Sequence, residues 1–245
     1  MDHELTTDVQ GQVTKVWYTP FPKDSMNVAP VTFLNEDRDV QTRQASLLGN
    51  PTEPWPHDVP LPVFSMEYSD PLGVSAYNLP DMFHTKQAIV VSERVHDVLS
   101  GFDMGENELL EVPLLEQNGQ VPLPGRWFAL RIITRKEGID LDASDTGTKE
   151  WMKPPSGENA LLLNTTRRGT QHWSLNAPHG SRAPEGIAVR AEAAEGVDLW
   201  IDPLLRGAAL QAFFVSDALH DAIVAARLRV KSLHFAPATV TRKGA

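Results

Sequence analysis

The residues of this sequence best suited to chemistry are three His-Asp dipeptides, His57-Asp58, His96-Asp97 and His220-Asp221. Imidazole and carboxylate together ligate divalent ions, and helical bundles carrying such pairs hydrolyse phosphate esters. A chain with many short strand patterns and 19 prolines does not fit an all-helical bundle. Two of the dipeptides also occupy the same turn of a repeated segment, so the expectation is that each imidazole contacts a helix cap or a neighbouring strand. The stretch Asp140-Leu141-Asp142-Ala143-Ser144-Asp145-Thr146-Gly147 resembles the start of a calcium loop. Counted from Asp140, however, Asp145 takes the glycine position and Trp151 the closing-glutamate position; counted from Asp142, Lys153 closes the loop. Neither frame supplies the bidentate carboxylate that calcium requires, and the stretch reads as a solvated acidic loop. Nucleophilic catalysis would need a base held against a hydroxyl, yet there is no Gly-x-Ser-x-Gly elbow and no phosphate-binding glycine loop.

Composition narrows the classes further. The chain contains no cysteine, which excludes thiol catalysis, cysteine-ligated zinc or iron-sulfur centres and disulfide scaffolds. A formal net charge of −10 opposes binding to phosphate backbones, whose affinity comes from Lys and Arg displacing counterions, and favours basic partners instead. No apolar run is long enough for a membrane helix and the first residues lack the pattern of a signal peptide, so a cytoplasmic location is expected. At 245 residues the chain can bury a core without a metal or cofactor, and none is expected.

The elements that must position any site are organised around a repeat. Val90-Val91-Ser92-Glu93-Arg94-Val95-His96-Asp97-Val98-Leu99 returns without gaps as Phe214-Val215-Ser216-Asp217-Ala218-Leu219-His220-Asp221-Ala222-Ile223. Each copy reads as an apolar strand, a serine that caps the free amides of the next turn, and a helix. Val95, Val98, Leu99 and Phe102 form one apolar stripe, and Leu219, Ala222, Ile223 and Ala226 form the other. A strand is expected after each copy, at Glu108 to Leu114 and at Ser232 to Ala236. Further strands are predicted at Val13 to Tyr18, Trp127 to Ile133, Ala160 to Leu163, Ile187 to Arg190 and Val197 to Ile201, with Asp202-Pro203 opening a short helix. Residues 20–62 read as irregular and end in a stiff strap, Pro51 to Pro62, with five prolines in twelve residues. Residues 136–158 read as a long loop. The fold class is therefore α+β, a largely antiparallel sheet with two related Ser-capped helix-to-strand units and long irregular loops.

The stretch Val197-Asp198-Leu199-Trp200-Ile201-Asp202-Pro203-Leu204-Leu205, followed by Phe213 to Leu219, Ala226-Arg227-Leu228 and Leu233-His234-Phe235, resembles a bacterial family first catalogued as a domain of unknown function. That family is grouped with the immunity proteins of polymorphic toxin systems. The similarity spans roughly residues 85–237. It implies an immunity-like α+β domain at 85–245, with residues 1–84 supplying an N-terminal strand and a Pro-rich region that pack on it as one compact unit. The function it implies is not enzymatic: binding and neutralisation of a cognate bacterial toxin. In that resemblance Trp200, Asp202 and Pro203 serve as aromatic anchor, helix cap and helix start.

A neutralising protein of this charge would cover a basic toxin surface or active-site mouth. The exposed candidates for that interface are Asp140, Asp142, Asp145 and Trp151, with Glu36, Asp37 and Asp39 as a second patch. The expected partner is a cognate protein toxin, with no direct nucleic-acid or membrane partner, and self-association into a homo-oligomer is allowed. Two other readings stay open: a hydrolase that reverses a toxin's modification, in which His96 and His220 converge in one pocket, and an assembly or adaptor protein of a secretion cluster.

Overall fold

The computed structural model describes residues 15–19, 31–34, 37–49, 51–66, 79–85, 88–117, 119–140, 143–144, 149–152, 160–163, 187–203, 213–229 and 235–242. In chain order the elements are β1 (Lys15–Tyr18), β2 (Val31–Phe33), α1 (Arg38–Gly49), β3 (Phe64–Met66), β4 (Met82–His84), β5 (Ile89–Ser92), α2 (Glu93–Leu99), β6 (Glu108–Glu111), β7 (Leu114–Leu115), β8 (Trp127–Arg131), β9 (Lys149–Met152), β10 (Ala160–Leu163), β11 (Ala188–Arg190), α3 (Ala191–Ala194), β12 (Leu199–Trp200), β13 (Phe214–Ser216), α4 (Asp217–Ala225) and β14 (Ala236–Thr241). The class is α+β. Among the described strands only β3–β7 and β11–β14 pair in parallel.

The repeat seen in sequence is the visible part of a larger duplication. One sheet has the order β4-β5-β8-β6, and the other, apart from β11 at its edge, has the order β12-β13-β1-β14. Every pairing in both is antiparallel and the registers correspond: Val91 lies opposite Met82 and Phe128, as Val215 lies opposite Leu199 and Trp17. In the first unit the chain runs β4, β5, α2, β6 and then β8. In the second it runs β12, β13, α4 and β14, and the place of β8 is taken by β1 from the far end of the chain. The second unit is thus completed by a strand that precedes it by about 180 residues (β1 begins at Lys15 and β12 at Leu199).

Both sheets are buried on both faces, which explains why Ile89-Val90-Val91 and Phe213-Phe214-Val215 read as unbroken apolar runs rather than alternating ones. Met82, Val91, Phe128 and Leu130 of the first sheet and Leu199, Val215 and Phe213 of the second join Val95, Leu99, Leu219 and Ile223 from α2 and α4 in one central core. On the other face of the first sheet Phe83, Val90 and Ala129 meet Leu48 of α1 and the strands of the three-stranded sheet β2-β3-β7. The outer face of the second sheet is closed by Val16, Tyr18, Trp200 and Phe214 together with Ile139, Val189 and Ala193. Each such aliphatic or aromatic side chain contributes about 1.5–3 kcal/mol by leaving water.

The two units are interlocked by a reciprocal set of hydrogen bonds. The amide of Asp81, just before β4, donates to the carbonyl of Arg229 beyond α4 at 2.7 Å, and the amide of Asp198, just before β12, donates to the carbonyl of Asp103 beyond α2 at 2.7 Å. In return the amide of Arg229 donates to the Asp81 carboxylate and that of Asp103 to the Asp198 carboxylate, each at 2.8 Å. The same two residues tie down the start of each helix, since the amides of Ser92 and Ser216 donate to the carbonyls of Asp81 and Asp198. Arg94 adds a further link, with Nη1 on Asp81 and Nη2 on the carbonyl of Ala226 at the C-terminal end of α4.

Several expectations are corrected by these contacts. Ser216 caps its helix by accepting from the amide of Leu219, whereas the Ser92 hydroxyl makes no cap bond and donates to the Asp81 carboxylate. Asp81 faces the serine across the β4–β5 hairpin and is the stronger acceptor, and the first amide of α2, that of Glu93, donates to the carbonyl of Arg126 at 3.0 Å. The carboxylate of Asp202 is buried and accepts from the amides of Gly138 and Ile139 at 2.7 and 2.8 Å. Residues 204–212, where a short helix was expected, lie outside the described residues. After the second helix the described strand is β14 at Ala236–Thr241, which occupies the place that β6 holds in the first unit; of the expected stretch Ser232 to Ala236, residues 232–234 lie outside the described residues. Two regions read as irregular contain elements: α1 with β2, and β9, which pairs with β10. Strands β4 and β5 pair with each other, and β1 is an inner strand of the second sheet.

Removing the buried Asp81 carboxylate by Asp81→Ala orphans the amide of Arg229, the Ser92 hydroxyl and the Arg94 guanidinium, and is expected to cost about 2–4 kcal/mol in urea unfolding. Asp198→Ala, at the more exposed counterpart, is expected to cost less. His84 is 1 % exposed, and its Nδ1 meets no partner among the described residues. Burial pushes its pKa down to about 4. The unfolded chain takes up this proton from about pH 6.5, the folded chain only near pH 4, so stability falls by roughly 1.4 kcal/mol per pH unit on acidification across that window. His84→Gln is expected to flatten that part of the stability-versus-pH profile.

Candidate functional site

The residues that could do chemistry sit at two corresponding surface positions, one per unit. In the second unit His220 lies on the first turns of α4 and stacks on the indole of Trp17 in β1, ring centroids 3.6 Å apart and planes 7° from parallel. The Nζ of Lys15 lies 3.8 Å from the centre of the same indole, on the face the imidazole leaves open. The indole N–H donates to the Asp217 carboxylate at 2.6 Å, and Phe235 meets the edge of the His220 ring. Nδ1 of His220 faces the Asp221 carboxylate at 3.0 Å. In the first unit His96 stacks on Phe128 of β8 at 4.3 Å, Arg126 lies over that ring at 5.2 Å, and Nδ1 of His96 faces Asp97 at 3.3 Å. Lys15 and Arg126, Trp17 and Phe128, Asp217 and Glu93 are structural counterparts, two residues or fewer from positions fixed by the strand registers.

The expectation that each imidazole contacts its neighbouring strand is met in both copies. The aromatic ring on that strand could not be found from the repeat, because Lys15-Val16-Trp17 and Arg126-Trp127-Phe128 lie in opposite order relative to their helices. Asp217, His220 and Asp221 bring one ligand atom each within 4.8 Å of one another, and among the described residues they are the group that could hold a metal ion. Asp217 and His220 are already engaged, by the Trp17 N–H and by Asp221 respectively, and His96 is not in this group.

The unrepeated side of the first unit carries a different feature. An open groove of about 430 Å³ runs between the proline strap and the connections leading into and out of β7. Leu61, Val63, Val112, Pro122, Leu123 and Trp127 are among the residues that line it. Trp127 is held there by its N–H bond to the carbonyl of Pro124 and by edge contact with Phe83. Leu61 at the rim and Val121 beside Pro122 are each 44 % exposed. Glu111 and Arg126 line the mouth: Arg126 donates from Nε and Nη2 to Glu111 at 3.1 and 2.6 Å and from Nη1 to Glu93 at 3.2 Å. These bonds hold the Glu111 carboxyl below the usual carboxylate range and raise the guanidinium. Gly125, at φ +84°, turns the chain into β8 with open space where a side chain would be.

The strap itself is fastened to the rest by buried polar contacts. Arg131, fully buried, pairs with Glu108, donates to the carbonyls of Leu47 and Glu53, and lies over the ring of Trp55. Arg43 of α1 pairs with Asp58, which lowers that carboxyl's pKa, and Gln44 donates to the carbonyl of Pro60.

Of the residues proposed from sequence for a partner interface, Asp37, Asp39, Asp140 and Trp151 are among the described ones. Asp37 is exposed, and its carboxylate accepts from the amides of Asp39 and Val40, so it caps α1; Asp39 is exposed in the first turn of that helix. Asp140 is half-buried, and its carboxylate accepts from the Thr241 hydroxyl and the amide of Ala143. Trp151 stands on β9 opposite Leu161 of β10. Glu36, Asp142 and Asp145 lie outside the described residues. The groove has no periodic sequence signal; its one legible trace is apolar residues set between prolines, Leu61-Pro62-Val63 and Pro122-Leu123-Pro124-Gly125.

Trp17→Ala removes a stacking surface and a charged hydrogen bond from an inner strand, and a loss of about 3 kcal/mol in urea unfolding is expected. His220→Ala and His96→Ala are expected to cost about 1 kcal/mol each, similar losses for corresponding contacts. No protein-family model matches this chain, and no curated protein matches it.

Proposed function

We propose that this chain is an immunity protein, which binds a cognate bacterial toxin and neutralises it by covering its surface or active-site mouth. The observation that carries the reading is the arrangement of the repeated His-Asp pairs. They are the residues with most chemical potential in the sequence, and each is stacked on the aromatic residue of its own unit's strand, as a packing contact made twice. Such use of histidine and aspartate belongs to a scaffold that displays a surface. The resemblance of residues 85–237 to immunity proteins points the same way, and its hallmark residues act in packing: Trp200 is fully buried against Phe214, and Asp202 anchors the 138–139 backbone.

Charge supports a basic partner. The chain carries −10, and Glu53, Asp97, Asp103, Glu106, Glu137 and Glu192 are exposed on its surface. Opposite charge on a toxin would accelerate encounter, and a stable complex would bury on the order of 1,200–2,000 Å². No helix among the described residues is long and apolar enough to cross a membrane. A hydrolase built on convergence of His96 and His220 is not favoured, because these residues belong to separate stacks on separate sheets.

Co-expression with the toxic C-terminal domain encoded by the adjacent reading frame tests the proposal. Restored growth and co-purification of the two chains are expected. Failure of both would remove the immunity reading, and retention of a secretion-apparatus component in place of the toxin would favour an adaptor.

A further inference from the structure

The duplication sets each interaction of one unit beside the same position in the other, and one of these interactions is made on one side only. Asp81 is saturated. Its carboxylate accepts from the Ser92 hydroxyl at 3.0 Å, from the amide of Arg229 at 2.8 Å and from Nη1 of Arg94 at 2.9 Å, with Nε of Arg229 at 3.9 Å. Nη2 of Arg94 reaches on to the carbonyl of Ala226, the residue that closes α4, at 2.9 Å. One guanidinium thus sits across a carboxylate of its own unit and the C-terminal carbonyl of the other unit's helix. That end of a helix carries partial negative charge, so both acceptors favour a cation.

The second unit keeps the acceptors and lacks the cation. Asp198 corresponds to Asp81 through the reciprocal bonds, and Ser100, which closes α2, corresponds to Ala226. In the gapless repeat Arg94 is matched by Ala218, and in the segment beyond the helix Arg229 is matched by Asp103. Ser216 caps its own helix through the amide of Leu219 instead of turning to the aspartate. Among the described residues the Asp198 carboxylate therefore accepts from the amide of Asp103 alone. Ala218 and Ser100 are exposed and Asp198 is half-buried, so the place that corresponds to the guanidinium lies at the surface. Lys136 is the cation nearby, but its Nζ is engaged by the carbonyls of Ala193 and Glu195 and by the face of the Trp200 ring. Burial lowers the pKa of that ammonium, and Asp103, Asp198 and Glu195 act against the shift, three carboxylates around one cation.

We infer that Asp198 and the Ser100 carbonyl form a seat for an arginine supplied by a partner protein, in the way that Asp81 and the Ala226 carbonyl hold Arg94. The occupant is defined by what fills the matching seat, a guanidinium whose two terminal nitrogens span a carboxylate and a carbonyl, a task that suits a planar fork better than the point charge of a lysine. Asp103 and Glu195 add attraction for a positively charged surface around that arginine. The identity of the partner as a toxin rests on the function proposed above; the seat itself does not.

Ala218→Arg places the missing guanidinium on α4 and tests the seat in the full chain. The folding equilibrium constant from urea unfolding is expected to rise roughly fivefold over wild type. No such rise is expected for Ala218→Met, which brings a stem without charge, or for Ala218→Arg combined with Asp198→Asn, which keeps an acceptor for the Asp103 amide and removes the carboxylate. N-acetyl-arginine amide serves as the probe for an incoming arginine, with N-acetyl-citrulline amide as its uncharged match. In amide-resolved NMR titrations the arginine probe is expected to shift the resonances of Ser100, Asp103 and Asp198, the citrulline probe to leave them in place, and Ala218→Arg to remove the response. No gain in stability from Ala218→Arg, a gain that survives Asp198→Asn, or equal responses to the two probes would overturn the inference. With the toxin domain, Ala218→Arg and Asp198→Asn are each expected to weaken binding about tenfold. If the wild-type chain rescues growth and both variants bind the toxin as tightly as wild type, the seat is not the docking site and the immunity reading stands. If Ala218→Arg gains stability and the arginine probe binds while the wild-type chain fails to rescue, the seat stands and the immunity reading falls.

Discussion

Two aspartates at corresponding positions, Asp81 and Asp198, hold the two halves of this protein in each other's grasp. Each presents its amide to a carbonyl and its carboxylate to an amide on the segment that leaves the other unit's helix, and each presents its own carbonyl to the serine that opens its own helix. A backbone segment leaving a helix has amides and carbonyls with no intrahelical partner. Here the second unit satisfies those of the first and the first those of the second, so neither helix end can be completed alone. The packing of α2 against α4 and the central core between the sheets follow from that exchange.

The same constraint explains the path of the chain. The second unit needs a strand between β13 and β14, and the strand that fills the gap is β1, from the other end of the sequence. The chain is therefore closed on itself through the second sheet, with its first described strand hydrogen-bonded to its last. Long-range closure of this kind carries an entropic cost that local helices do not, and the sheet recovers it through Trp17, whose indole is bonded to Asp217 and stacked on His220 of α4. The stacked histidine is a device for attaching helix to strand, repeated at His96 and Phe128.

Once the duplicated parts are accounted for, the features that differ between the units stand out. The proline strap and α1 lie over the outer face of the first sheet, anchored by the buried Arg131 and by Gln44, while Ile139 and Ala193 of α3 pack on the second sheet, to which β11 adds an edge strand. In the first unit Arg126 bridges Glu93 and Glu111, and Arg126 and Glu111 also line the apolar groove. The corresponding place in the second unit has Lys15 over Trp17 and Pro237 in place of the second carboxylate.

The sequence by itself determined the α+β class, the two strand-to-helix units, the inner strands β1, β5, β8 and β13, and the strap, because each depends on neighbours in the chain: apolar spacing, a run of prolines, turns at Gly119 and Gly125. It also carried, as an expectation, contact of each imidazole with a helix cap or a neighbouring strand; the stacking itself came from the fold. Helix α1 was obscured by the polar surface it turns outward; its capping residue, Asp37, was read as part of an acidic patch. Only the tertiary structure decided what the polar side chains do. Ser92 and Ser216 share a position in the repeat but differ in use because an aspartate carboxylate lies within reach of one hydroxyl, and Asp202 accepts from the amides of 138–139 because the fold brings that distant segment against it. The groove, likewise, is assembled from residues about 60 positions apart, Leu61 to Leu123, whose adjacency is a property of packing and not of sequence spacing.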